Sequence, residues 1–77
     1  MLEYRRVKLI DGMKRHYFEI TQCQKDGQTV GYLSRRRGTK STQHPWQVWV
    51  GPQMTVMVGS FWQRDEAEQR LAGQTEG

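Results

Sequence analysis

His16, His44 and Cys23 are the only imidazole and thiol groups in this 77-residue chain, so any nucleophile–base pair or soft metal site must draw on them. His16 and Cys23 lie seven positions apart in a β-forming run, an odd spacing that sends them to opposite faces of a strand. A nucleophile and its base must come within hydrogen-bonding reach, so this spacing argues against catalysis by the pair. The pair reads better as a half-buried cysteine and an exposed histidine of a basic cluster. None of the paired spacings of zinc sites is present. Asp65, Glu66 and Glu68 are acidic neighbours in a helix-forming run, but only Asp65 and Glu68 share an edge, and the group reads as a solvated face. Gly27, Gly31 and Gly38 never combine with a Lys-Ser/Thr pair, as a phosphate loop requires. The expectation is a protein that is not an enzyme, with no metal and no cofactor.

The remaining chemistry is basic and aromatic. Net charge is +4, but residues 1–40 hold ten Lys/Arg against four Asp/Glu (+6), and residues 41–77 hold two against four (−2). The N-terminal half is therefore the face for an anionic partner, with ordinary solubilising charge as the alternative. Arg35, Arg36, Arg37 and Lys40, with Lys14, Arg15 and Trp49, are the candidate nucleic-acid-binding residues. Arginine neutralises phosphates and forks onto guanine edges. A two- or three-stranded sheet can enter a major groove, whereas exposed Trp and Tyr on a sheet can stack single-stranded bases. Either use needs these groups on a free sheet face. Of the two strand tryptophans, Trp46 continues the stripe of Val48 and Val50 and is assigned to the core. Trp49 takes the second face.

Positioning those groups falls to a β-rich fold. Arg5 to Asp11 reads as an edge strand, with Val7 and Leu9 on one face and Arg6, Lys8 and Ile10 on the other. His16–Gln24 and Gln28–Arg36 form a hairpin across Asp26-Gly27, a favoured turn pair because Gly accepts positive φ. In it, Phe18 and Ile20 share a face, as do Val30 and Tyr32, with Leu33 opposite. Residues 37–44 form a basic loop closed by Pro45, and residues 46–50 a strand. Gly51-Pro52-Gln53 turns the chain. Met54 to Phe61 is a further strand, with Val56 and Val58 on one face and Met57 and Phe61 on the other. The period changes at Trp62, and the only helix is expected over about residues 63–73, stopped by Gly73. Asp65 and Glu66 suit its first turn, Glu66 and Arg70 pair at i,i+4, and Ala67 and Leu71 form its apolar stripe.

The fold class is α+β: a small antiparallel β-meander of three to five strands followed by one short C-terminal helix. One domain covers 1–77, with a basic N-terminal strand or arm over 1–15, the meander over 16–61, the helix over 62–73 and a tail over 74–77. Phe18, Ile20, Val48, Val58, Phe61 and Leu71 are the expected core, and truncating Phe61 is expected to cost about 3–5 kcal/mol. A core this thin makes a homodimer an easy route to extra stability.

Gly31-Tyr32-Leu33-Ser34-Arg35-Arg36-Arg37, Trp46-Gln47-Val48, Val58-Gly59-Ser60-Phe61 and Glu66-Ala67 together resemble the DNA-binding domain of plant ethylene-response (apetala-type) factors. Phage integrase arm-binding domains share its arrangement of three strands and then a helix. The resemblance covers residues 31–72. It implies a sheet laid in the DNA major groove, with Arg35, Arg36 and Arg37 on the basic first strand and Trp46 on the middle one. Phe61 and Ala67 would join helix to sheet. The chain departs from the pattern in its long loop before Trp46, its short helix and an unmatched residues 1–30. Gly-Ser-Phe before an Ala-containing helix also looks like the sporulation-related peptidoglycan-binding repeat, whose βαβ order this chain lacks.

The expected function is a small DNA-binding module, of the kind that serves a phage or mobile element. The alternative is a small protein-binding inhibitor or adaptor, such as a phage-encoded inhibitor of a host defence or host enzyme, docking on an acidic protein surface. No apolar run reaches the roughly 18–20 residues that span a bilayer, the first residues lack the apolar stretch of a signal peptide, and the single cysteine suits a reducing compartment. No membrane contact and a cytoplasmic location are expected.

Overall fold

The structure, a computed structural model, describes residues 2–38, 40 and 42–76. Five antiparallel strands form one sheet in chain order: β1 (Leu2–Arg6), β2 (Tyr17–Lys25), β3 (Gln28–Arg36), β4 (Trp46–Val50) and β5 (Val56–Phe61). A single helical turn, α1 (Asp11–Lys14), lies between β1 and β2, and α2 (Arg64–Glu76) follows β5. This is the expected antiparallel meander and C-terminal helix.

The β2–β3 hairpin forms where its turn chemistry places it. Asp26 and Gly27 both take positive φ, 52° and 79°, which matches the right-handed twist of the flanking strands. Helix α2 packs on one face of the sheet and seals the core there: Cys23, Leu33, Trp46, Val48, Ala67 and Leu71 are buried. Trp46 is thus a core residue, and Cys23 is wholly rather than half buried. The N-terminus of α2 is closed by half of a capping box, in which the Gln63 backbone N–H donates to Glu66 Oε1 (3.2 Å). Arg64 pairs with Glu68 at 3.0 Å, one turn on.

Three bulges redirect side chains that strict alternation would place elsewhere. Phe18, Val30 and Val58 are each skipped in the pairing register. An extra residue shifts the parity of everything beyond it, because side chains alternate with a period of two. Phe18 is therefore 46% exposed and outside the core, while Ile20 is buried. Val30 packs on the core and Tyr32 lies on the opposite face, so the two do not share a face. Phe61 leaves Met57's face and joins Trp46 on the helix side. Phe61 and Val58 are only half-buried. Phe61→Ala is accordingly expected to cost about 1–3 kcal/mol and Phe18→Ala below ~1 kcal/mol, measured as a shift in urea midpoint at unchanged slope.

Several boundaries differ from the sequence reading. Strand β5 begins at Val56, not Met54, because Met54 takes a left-handed φ of 53° that leaves it in the turn. The first strand is Leu2–Arg6, not Arg5–Asp11, because Leu2 to Arg6 pair with Lys25 to Thr21. Val7 donates a last bond to Ile20 O (2.9 Å), and Met13 and Lys14 N–H then close α1 on Ile10 O. The expected sole helix is thus joined by a short one before residue 60. Helix α2 also runs through Gly73 to Glu76. Its last turn is held by the Thr75 hydroxyl donating to Leu71 O (2.9 Å) and Lys25 Nζ donating to Thr75 O (3.4 Å), which offset the roughly 1 kcal/mol helix cost of glycine.

Candidate nucleic-acid interface

Away from α2, the sheet presents a row that crosses all five strands: Arg5, Gln22, Tyr32, Trp49 and Met57 are consecutive register partners. Tyr32 and Trp49 are direct cross-strand neighbours, and both are half-buried. Each ring is fixed by its polar end. The Tyr32 hydroxyl donates to Pro52 O (2.9 Å), and Trp49 Nε1–H donates to the buried Ser34 Oγ (2.9 Å). Trp49 therefore stands on the face opposite the helix, where alternation from Trp46 places it. A cavity of about 450 Å³ adjoins Tyr32, floored by Ile20 and Gln22 and walled by Met13 of α1 and Met54 of the β4–β5 turn.

The basic residues meet at one end of this sheet. Tyr17 pairs with Arg36, and the Arg37 N–H donates to His16 O (2.7 Å). Those contacts join the segment carrying Lys14 and Arg15 to the end of β3 carrying Arg35, Arg36 and Arg37. These five side chains, with Lys40, are half of the chain's twelve Lys/Arg, and all six are exposed. They do not share one face. Arg35 pairs with Trp46 on the helix side. Its guanidinium lies 5.0 Å from the Phe18 ring centroid, and that of Arg37 lies 4.1 Å from the same ring. Arg36 projects to the open face with Gln47. The nearby carboxylate of Glu19 is engaged by Arg6 (3.3 Å) and Arg64 (4.0 Å). The basic end thus keeps its positive potential.

Sequence reasoning alone did not mark Tyr32, Phe18, Arg5 or Gln22 as members of this surface. Tyr32 was masked by the bulge at Val30 and Phe18 by its own bulge. The pairing of β3 with β4 runs across residues 37–45, whose length carries no register signal. Among the described residues, no three His, Cys, Asp or Glu side chains gather closely enough to hold a metal ion. No described helix is long and apolar enough to cross a membrane. No family model, curated protein or solved structure matches the chain.

Proposed function

We propose that this chain is a non-enzymatic binding module that takes single-stranded nucleic acid across the sheet face left open by α2. The observation that carries the reading is the side-by-side placement of Tyr32 and Trp49 on that face, next to an end bearing six exposed cations. Aromatic platforms of this kind stack bases without regard to sequence, while the cations track phosphates. Width limits the alternative of a sheet laid in duplex DNA to two or three of the strands at a time. Five strands at roughly 4.8 Å spacing span about 19 Å, against a major groove about 12 Å wide.

Tyr32→Leu and Trp49→Leu test the platform, since each removes a ring and keeps an apolar side chain. Affinity for a short labelled thymidine strand, read by fluorescence anisotropy, is expected to fall about 5- to 150-fold for each variant, the equivalent of ~1–3 kcal/mol per stacked base. Duplex of the same length should bind more weakly than the strand. Equal affinity of parent and both variants for the strand would remove the sheet face from the reading.

One feature favours a second reading, docking on a protein. Strand β5 is an edge without a charged residue, and Val56, Met57 and Trp62 are 57, 50 and 46% exposed there. An uncharged apolar edge accepts an added strand from a partner. Failure to bind any nucleic acid at low salt would move the choice to that reading.

A further inference from the structure

On the open face, beyond Trp49, lies a second, solvent-open cavity of about 330 Å³ lined by Arg36, Thr42, Gln43, His44, Gln47 and Ser60, of which only Gln47 is half-buried. Among the described residues, its lining holds no carboxylate. The hydrogen bonds around it decide which way its amides point. Trp49 Nε1–H can only donate, so Ser34 Oγ accepts from it and must pass its own proton onward. Ser34 gives that proton to Gln47 Oε1 (3.3 Å). The carbonyl end of Gln47 is thereby occupied, and its NH2 end is left to donate. Gln43 is fixed in the same sense, because its Oε1 accepts from the Lys40 backbone N–H (3.0 Å). Among the described residues, no hydrogen bond takes up either NH2 group. His44 is held edge-to-face against Trp62 at 4.6 Å, which steadies the same wall.

We propose that this cavity is a phosphate-binding pocket. Two amide NH2 groups, the Arg36 guanidinium fork and the Thr42 and Ser60 hydroxyls all offer protons to a tetrahedral oxyanion. No described residue of the lining is an acid that would repel it. The proposal deepens the nucleic-acid reading, on which it rests only for the source of the phosphate. A strand stacked on Trp49 reaches the pocket past Met57, which pairs with Trp49 and lines the cavity.

The test is Gln47→Glu in the full chain. A carboxylate still accepts from Ser34, so the internal relay survives, but the group facing the pocket changes from donor to anion. The first probe is inorganic phosphate, followed by nitrogen–proton spectra of the glutamine side chains. In the parent, the Gln43 and Gln47 NH2 resonances should shift saturably with phosphate and not with chloride. In Gln47→Glu and Arg36→Gln, affinity should fall on the order of tenfold or more, as for a lost hydrogen bond to a charged group. Absent shifts, or shifts centred on Lys14 and Arg15, would overturn the pocket. An unchanged backbone spectrum of Gln47→Glu shows that the variant is folded, and Ser60→Ala gives an independent loss of one donor. A short single strand is the second probe. Phosphate bound in the pocket without strand binding would uphold the pocket and overturn the strand as its source. Equal strand binding by parent and Gln47→Glu would overturn use of the pocket while leaving the sheet-face reading in place.

Discussion

Gly31→Ala is expected to destabilise the protein by about 3 kcal/mol or more, the upper range for overpacking a close-packed core. Gly31 sits on β3 directly beneath α2, opposite Cys23 on one side and Val50 on the other. A Cβ there would fall on the Trp49 carbonyl oxygen and within 2.7 Å of Leu71 Cδ1. The two contacts differ in kind. Leu71 Cδ1 is the end of a flexible side chain that can move aside at the loss of some burial, whereas the Trp49 carbonyl belongs to the backbone of the neighbouring strand. For a domain of this size, whose whole stability is about 4–12 kcal/mol, such a loss removes roughly a quarter to three quarters of it. Urea denaturation of Gly31→Ala, Leu71→Ala and the double variant separates the contributions. Leu71→Ala alone should cost about 2–5 kcal/mol. The double variant should be less destabilised than the sum of the singles, since one of the two clashes is gone. It should not fall to the level of Leu71→Ala alone, because the backbone clash persists. A Gly31→Ala loss below ~1 kcal/mol would mean that α2 does not lie this close to the sheet.

That contact also shows which parts of the fold can be read from the chain. The Asp26-Gly27 turn, the change of period at Trp62 and the Ala67/Leu71 stripe are local signals, each within a few residues of its cause. The structure forms all three where the sequence puts them. The errors of side-chain facing have one physical origin. A bulge costs little locally and leaves no compositional mark, yet it reverses the side-chain parity of the strand beyond it. Phe18, Val30 and Val58 each do so, and they account for the misplacement of Phe18 in the core, of Tyr32 beside Val30 and of Phe61 beside Met57. Trp49 escapes because it follows Trp46 and Val48 on β4 with no extra residue in that strand. Gly73 was read as a stop from its propensity alone. Contacts of the last turn with Lys25, far away in the chain, override that propensity. The candidate site was legible as a list of cations and one ring. Its organisation depends on non-local pairing, which joins Arg37 to His16 and Tyr32 to Trp49.

Replacing Arg35, Arg36, Arg37 and Lys40 together with Gln is expected to flatten the salt dependence of strand binding and to leave the fold intact. All four side chains are exposed, so their removal should change stability by less than about 1 kcal/mol. Each lost phosphate contact should reduce the slope of log affinity against log salt by about 0.7 for a single strand. Four such contacts give a slope of about −2.8, which is roughly a 50-fold loss of affinity between 50 and 200 mM salt. The quadruple variant should lose that contribution, and its low-salt affinity should drop for every strand sequence alike. The split of these residues between faces sharpens the test. Arg36 lies on the open face, whereas Arg35 and Arg37 flank the Phe18 ring at the sheet's end. If the strand runs over Tyr32 and Trp49, Arg36→Gln should remove more of the slope than either Arg35→Gln or Arg37→Gln. If it wraps the end of the sheet instead, the order reverses, and Phe18→Ala should then weaken binding as well through the lost ring. Weak, salt-insensitive binding that is equal in parent and quadruple variant would rule out phosphate contact by these side chains. The uncharged edge of β5 would then be the surface to pursue.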